Sequence, residues 1–224
     1  MMDRDLLKQA FTRLVEDVRE HLEHSPACHD WDHTLRVLHN ARHLCQVEGA
    51  DPDIVDFAAV LHDVGRPVEL ADRGHTCHAD HGAVLVRQML PALGIEDAVF
   101  IEHVAACVRT HRYRIRTKDR PATLEARIVF DADKLDSIGA IGVGRSFHFA
   151  GRIGARVHNT SEAAQGSASY SREDSAYREF LVKLRHIQGR MLTAEGRRLA
   201  ESRHRFMVAF FDQLNREVAG EDLG

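Results

Sequence analysis

Sixteen histidines are many for a chain of 224 residues, and several stand beside carboxylates. His33, the adjacent pair His62-Asp63, and Asp133 in Phe130-Asp131-Ala132-Asp133-Lys134-Leu135 are the groups best placed to hold an ion. Imidazole with carboxylate suits a borderline or hard divalent cation such as Mn, Mg, Ni, Co or Fe. A site without thiolates is not a structural zinc site. Fewer protein ligands than coordination positions leaves room for water and a substrate oxygen, as catalysis requires. Each residue alone has a plain alternative. His33 is also a helix-start residue, His62-Asp63 a helix-end pair at the negative end of a dipole, and Asp133 a partner for Lys134.

The elements that must carry these groups read as helices. Residues 3–24 put Leu7, Phe11, Leu14, Val18 and Leu22 on one face. Asp32 is a candidate N-cap for a helix through Glu48, which carries His33 in its first turn. Asp51-Pro52 opens the next helix, and its end delivers His62-Asp63 just before Gly65. A frayed helix end lets adjacent side chains reach one ion. A polar loop is expected over 66–74, and helices from Thr76 or Cys77 to near Pro91, over 96–111, and from Pro121 and Thr123 through Leu135. The glycine-spaced stretch 139–154 reads as a closely packed helix, 154–172 as a mobile loop, and 173–190 and 194–218 as closing helices, the last capped by Thr193. The loop is either a lid over bound phosphate or a plain surface loop. No segment reads as a strand. The expected fold is all-α, a single-domain helical bundle with a core over about 20–150.

Composition narrows the function. With 44% apolar and 29% charged residues the chain is an ordinary globular protein. A net charge of -4 argues against a protein that coats nucleic acid, which needs a basic face. Cys28, Cys45, Cys77 and Cys107 form no CxxC pair and read as reduced thiols in a cytoplasmic protein. No apolar run is long enough for a signal sequence or a membrane span. Oligomeric state is not readable.

The order His33…His62-Asp63…Asp133 resembles the HD superfamily of metal-dependent phosphohydrolases. The likeness extends to Trp31-Asp32-His33-Thr34, to Leu61-His62-Asp63-Val64-Gly65-Arg66-Pro67, to Thr123-Leu124-Glu125-Ala126-Arg127-Ile128 and to the run from Asp131 to Gly142. It continues through Lys183-Leu184 and from Thr193 to Met207, covering roughly residues 20–218. These segments resemble a small bacterial subgroup that includes nucleoside triphosphate pyrophosphohydrolases. Glu179 departs from it, where the subgroup pattern has His before Phe180.

The resemblance implies an HD-type helical bundle in which His33, His62, Asp63 and Asp133 bind a divalent metal. It implies hydrolysis of a nucleotide or related phosphoester, with nucleoside triphosphate cleaved to monophosphate and diphosphate as the leading case. Asp63 then both ligates the ion and serves catalysis. Arg66, one short turn on, suits bidentate phosphate contact. His78 resembles a histidine that HD enzymes bring into the pocket and is read as a phosphate or general-acid contact, with His111 similar. Lys134 is a further candidate, although adjacent helix residues diverge. His103, His186 and His204 are assigned to structure, and Arg112, Arg114 and Arg116 to a solvated loop that gates entry. Two other functions fit the same residues. One is a mixed-valent di-iron oxygenase using His78 and His111 for a second iron; the other is a nucleotide-binding sensor without turnover.

Overall fold

Short polar side chains set where the helices begin. Asp3, Asp30, Asp51, Asp97, Thr160, Ser175 and Thr193 each accept a backbone N–H of the turn that follows, a bond that stabilises a helix start by about 1 kcal/mol. The computed structural model describes residues 3–23, 30–72, 75–112 and 120–223. It places α-helices at Arg4–Leu22 (α1), Trp31–Glu48 (α2), Pro52–Leu61 (α3), Arg66–Ala71 (α4), His78–Ala92 (α5), Ala98–Thr110 (α6), Leu124–Asp136 (α7), Gly139–Arg152 (α8), Ser161–Gly166 (α9), Ala176–Val182 (α10) and Ala194–Ala219 (α11). Two 3-10 turns, Leu184–His186 and Gln188–Arg190, precede α11. No strand occurs among the described residues, so the all-α expectation holds. Among the described residues no helix is long and apolar enough to cross a membrane.

The chain packs as two compact units, Met1–Asp133 and Lys134–Gly224. In the first, α3 lies at the centre. Every residue of it from Phe57 to Leu61 is buried, and a helical stretch that is apolar all round belongs inside. It packs on α1, α2 and α6, while α5 packs on α4 and α6. Phe57 meets Phe11 and Phe100 edge-on, at 5.3 Å in both cases. The centre is therefore held by shape as well as by burial.

In the second unit α8 packs on α10 and α11. Phe211 of α11 stacks on Phe180 of α10 at 4.5 Å and meets Tyr177 at 5.7 Å. Gly139 opens α8 at φ +76°, a backbone form that favours glycine. Asp136 pairs with Arg145 at 2.7 Å, and Arg203 donates to the Leu135 carbonyl at 2.5 Å. These bonds pin the end of α7 to α8 and α11.

Four local expectations are corrected. Asp30, not Asp32, caps α2; its carboxylate accepts the His33 N–H at 3.0 Å, which leaves Asp32 in the first turn. Residues 66–71 form α4 rather than a loop. The helix expected over 173–190 breaks at Lys183, whose φ of -140° is not helical, and continues as 3-10 turns. The stretch 154–172 contains α9, and polar bonds flank it. Asn159 donates to the Glu173 carbonyl at 2.9 Å, Ser175 donates to Asn159 at 2.6 Å, and the Arg178 guanidinium donates to the Ser167 carbonyl at 3.0 Å. Composition shows few apolar anchors there because the anchors are polar.

Candidate functional site

Five elements, α2, α3, α5, α6 and α7, deliver the site. His33 stands in the first turn of α2, fixed by Asp30. His62 and Asp63 follow the end of α3, in a turn that the ring of His21 steadies through the Val64 carbonyl at 2.9 Å. Asp133 comes from α7, where Asn40 of α2 donates to the neighbouring Ala132 carbonyl at 3.2 Å. His78 opens α5 and His111 follows α6. His33, His62, Asp63, His78 and His111 are buried, and Asp133 is partly so.

The ligand atoms converge in two groups. Nε2 of His33 lies 3.2 Å from Nε2 of His62, 3.5 Å from an oxygen of Asp133 and 3.7 Å from Oδ2 of Asp63. Nε2 of His62 is also 3.7 Å from Oδ2 of Asp63. On the other side of the same carboxylate, Oδ1 is 3.5 Å from Nε2 of His78 and 3.7 Å from Nε2 of His111. The Nε2 atoms of those two rings are 3.3 Å apart. His33, His62 and Asp133 form one possible ion-holding set, and Asp63, His78 and His111 another. The rings of His62 and His111 meet edge to face at 5.2 Å, so the groups adjoin.

Hydrogen bonding decides which ring nitrogens carry protons. Nδ1 of His62 lies 2.8 Å from the Ala59 carbonyl, and Nδ1 of His111 lies 2.6 Å from the Val108 carbonyl. A carbonyl only accepts, so both Nδ1 atoms donate, and a neutral ring then presents a bare Nε2. His78 Nδ1 donates to Oε2 of Glu69 at 2.7 Å, which likewise leaves its Nε2 bare.

This arrangement fits a cation. Around His62 the bare nitrogen and the Asp63 and Asp133 carboxylates converge in a buried place, where negative charge is costly unless paired. Ligands at right angles about 2.1 Å from a small divalent ion are about 3 Å apart, close to the shorter separations here. His62, His33, Asp63 and Asp133 are the residues that would hold it. The described cysteines are free; Cys45 and Cys107 are buried, and Cys77 contacts Arg112.

The second group has cationic company. Arg66 donates to Oδ1 of Asp63 at 2.9 Å and to Oε2 of Glu69 at 2.6 Å. Arg112 reaches Oε1 of Glu69 at 3.1 Å and the Cys77 sulfur at 3.1 Å. Sequence reasoning left Arg112 in a solvated loop and missed Glu69 altogether. Arg114 and Arg116 lie outside the described residues. Lys134 is buried and opens the second unit. His103 sits with Thr123 at 3.0 Å and Glu125 at 3.2 Å. Glu179, the position that departs from the subgroup pattern, pairs with Lys183 at 2.7 Å.

Burial pushes His62 down from 6.5 to about 4 against the pull of Asp63, and it pushes His78 to about 4 against its bond to Glu69. Between about 4 and 6.5 the unfolded chain therefore binds more protons than the folded one. Stability should fall as pH drops through that window. Urea unfolding of chelator-treated protein should give a lower midpoint at about pH 5 than at about pH 7.5, and equal midpoints would mean that these rings are already charged in the fold.

Residues 30–138 match the HD domain family. The Bacillus subtilis protein YpgQ is 36% identical over 194 residues, 87% of this chain and 86% of YpgQ. The chain belongs to the HD superfamily. A crystal structure of YpgQ in complex with ADP matches with a TM-score of 0.71 and 32% identity, over 95% of this chain and 96% of that one. An HD-superfamily hydrolase from Bacillus thuringiensis matches with a TM-score of 0.72 and 28% identity, over 95% and 98%. The match to the HD domain spans His33, His62, Asp63 and Asp133, and the chain has the fold of HD-superfamily hydrolases.

Proposed function

We propose that this HD protein is a divalent-metal-dependent phosphohydrolase acting on nucleotides, and that it cleaves a nucleoside triphosphate to monophosphate and diphosphate. The observation that carries this reading is the division of the Asp63 carboxylate. Oδ2 faces His33 and His62, while Oδ1 faces His78 and His111 and is held by Arg66. His33, His62, Asp63 and Asp133 hold the ion, which is Mn, Mg, Co, Ni or Fe. Bound there, it supplies Lewis acidity that makes water a stronger nucleophile and draws charge off phosphoryl oxygens.

The remaining work falls to the chain's own groups. Arg66 and Arg112 bring positive charge to the side where phosphate enters, which phosphoryl transfer requires. His78, its tautomer fixed by Glu69, accepts a proton at Nε2 and, once protonated, delivers one to the leaving oxygen. His111 faces it and shares that role. The ADP bound by YpgQ supports a nucleotide as the ligand class.

A second reading has an observation of its own, since a carboxylate flanked by two histidine pairs can bridge two ions. A di-iron oxygenase would use that geometry. Against it, Arg66 already donates to Oδ1 at 2.9 Å, and a guanidinium there repels a second cation. Metal content after anaerobic iron loading separates the two: one ion per chain is expected, and two would favour the oxygenase. A panel of nucleotides and small phosphoesters with each metal should yield diphosphate from triphosphates. Release of orthophosphate alone would replace pyrophosphohydrolysis with phosphatase action. No turnover with any metal would leave a binding protein.

A further inference from the structure

Glu69 is buried, and its carboxylate receives three positively charged or proton-donating side chains from three places in the chain. Arg66 comes from the same helix at 2.6 Å, His78 from the start of α5 at 2.7 Å, and Arg112 from beyond α6 at 3.1 Å. We propose that Glu69 is the positioning residue for the phosphate side of this site, aiming Arg66, Arg112 and His78 at a phosphoryl group without touching the ion. The inference rests on the phosphohydrolase reading above and adds the element that organises its anion-binding half.

The physical argument starts from cost. A buried carboxylate is expensive, and a buried ion pair is often no more stable than apolar packing of the same volume. Stability alone is therefore a poor reason for this group. Its geometry is specific instead. As an ionised acceptor it compels His78 to donate from Nδ1, which turns Nε2 toward Asp63 and His111. Burial raises the Glu69 carboxyl, but the bond from His78 and the charges of Arg66 and Arg112 outweigh it and hold it at about 2. The arginines, charged at any ordinary pH, supply the standing positive charge. Glu69 offsets only one of the two guanidinium charges, and the second carboxylate on Arg66, that of Asp63, is the one assigned to the ion, so positive charge is left for an anion.

The network is also incomplete. Nε of Arg66 is buried without a hydrogen-bond partner among the described residues, and Oε1 of Glu69 has an ion pair but no aligned hydrogen bond. Buried polar groups are nearly always satisfied, and exceptions call for a functional explanation. An arriving anion is a partner for the donor; the carboxylate holds the arginine forks in place until then. Glu69 belongs to neither ion-holding set, so its removal spares the ion.

Glu69→Gln keeps the shape and removes the charge. Binding of pyrophosphate and of ADP is measured by calorimetry on manganese-loaded protein, alongside metal content, melting temperature and steady-state kinetics. Both affinities should fall about 10–100-fold, the range seen when a group that orients a site residue is lost. Metal content should stay that of the wild type, and kcat/KM should fall with the affinities. Glu69→Asp, which restores the charge one methylene short, should recover part of the loss. Arg112→Gln, at a partly exposed position, should weaken ADP with the ion retained. Wild-type affinity in Glu69→Gln overturns the inference, as does parallel loss of ion and ADP. If Glu69→Gln does not fold, unchanged ADP affinity in Arg112→Gln overturns it. Failure of the wild type itself to bind pyrophosphate or ADP would bring down the phosphohydrolase reading, and this inference with it.

Discussion

Replacing Asp63 by Ala should remove divalent-ion binding and hydrolysis together while the helices stay folded. The carboxylate is the one group shared by both halves of the site, with oxygens 3.5 to 3.7 Å from four histidine nitrogens. Its loss takes a charged ligand from the ion. It also takes from Arg66 one of its two carboxylate partners, leaving Glu69. Turnover should fall by about 10³-fold or more, the scale of losing a charge-stabilising group together with the Lewis acid. Asp63→Asn separates shape from charge: an amide oxygen keeps the contact to Arg66, yet it is a poor ligand for a hard cation. Metal analysis, turnover and far-UV circular dichroism on the three proteins decide the matter. Normal ion content with near-normal turnover in Asp63→Ala would place the ion elsewhere.

The sequence made some of this legible and hid the rest for a physical reason. Helix faces repeat locally, so Leu14, Val18 and Leu22 announce α1 and the Val60-Leu61 stretch announces a buried helix. His33, His62-Asp63 and Asp133 are readable as a set because adjacent His and Asp at a helix end are an unusual pair, and because the flanking motifs resemble one family. Glu69 was not readable. Gly65 ends one helix and Asp72-Arg73-Gly74 looks like a loop, which hides a single helical turn that places Arg66 and Glu69 three residues apart on one face. Pro67 was the available signal, since proline favours the first turn of a helix. Arg112 was invisible for a different reason. Its partners, Glu69 and Cys77, are distant in sequence, and only packing of α4, α5 and α6 brings them to it. The break at Lys183 is the converse case, a periodic stretch that tertiary structure interrupts.

Gly65→Ala should destabilise the protein and damage the site from the outside. Gly65 has φ of -83°, so backbone freedom is not what it contributes. It contributes space. A Cβ there would overlap the His78 carbonyl oxygen and stand 2.8 Å from the Gly82 nitrogen. Both are backbone atoms of α5, and backbone cannot swing aside as a side-chain tip can. The methyl group must push the first turns of α5 away from the turn that carries His62 and Asp63. Overpacking of this kind costs about 1–3 kcal/mol or more, which lowers the melting temperature by about 2–12 °C in a chain of this size. The same displacement separates His78 from Glu69 and Asp63. The three atoms nearest the new methyl all belong to α5, so the strain falls first on that helix rather than on the ion ligands. Ion binding should therefore survive while turnover falls about 100-fold, the scale of misplacing a reacting group by about 1 Å. Gly144→Ala is the control, because a Cβ at Gly144, inside α8, meets nothing within 4 Å. Alanine there should be neutral or stabilise by about 1 kcal/mol. A Gly65→Ala protein that melts and turns over like the Gly144→Ala control would show that α5 does not press on the His-Asp turn. Glu69 could not then be holding His78 against Asp63 through that contact.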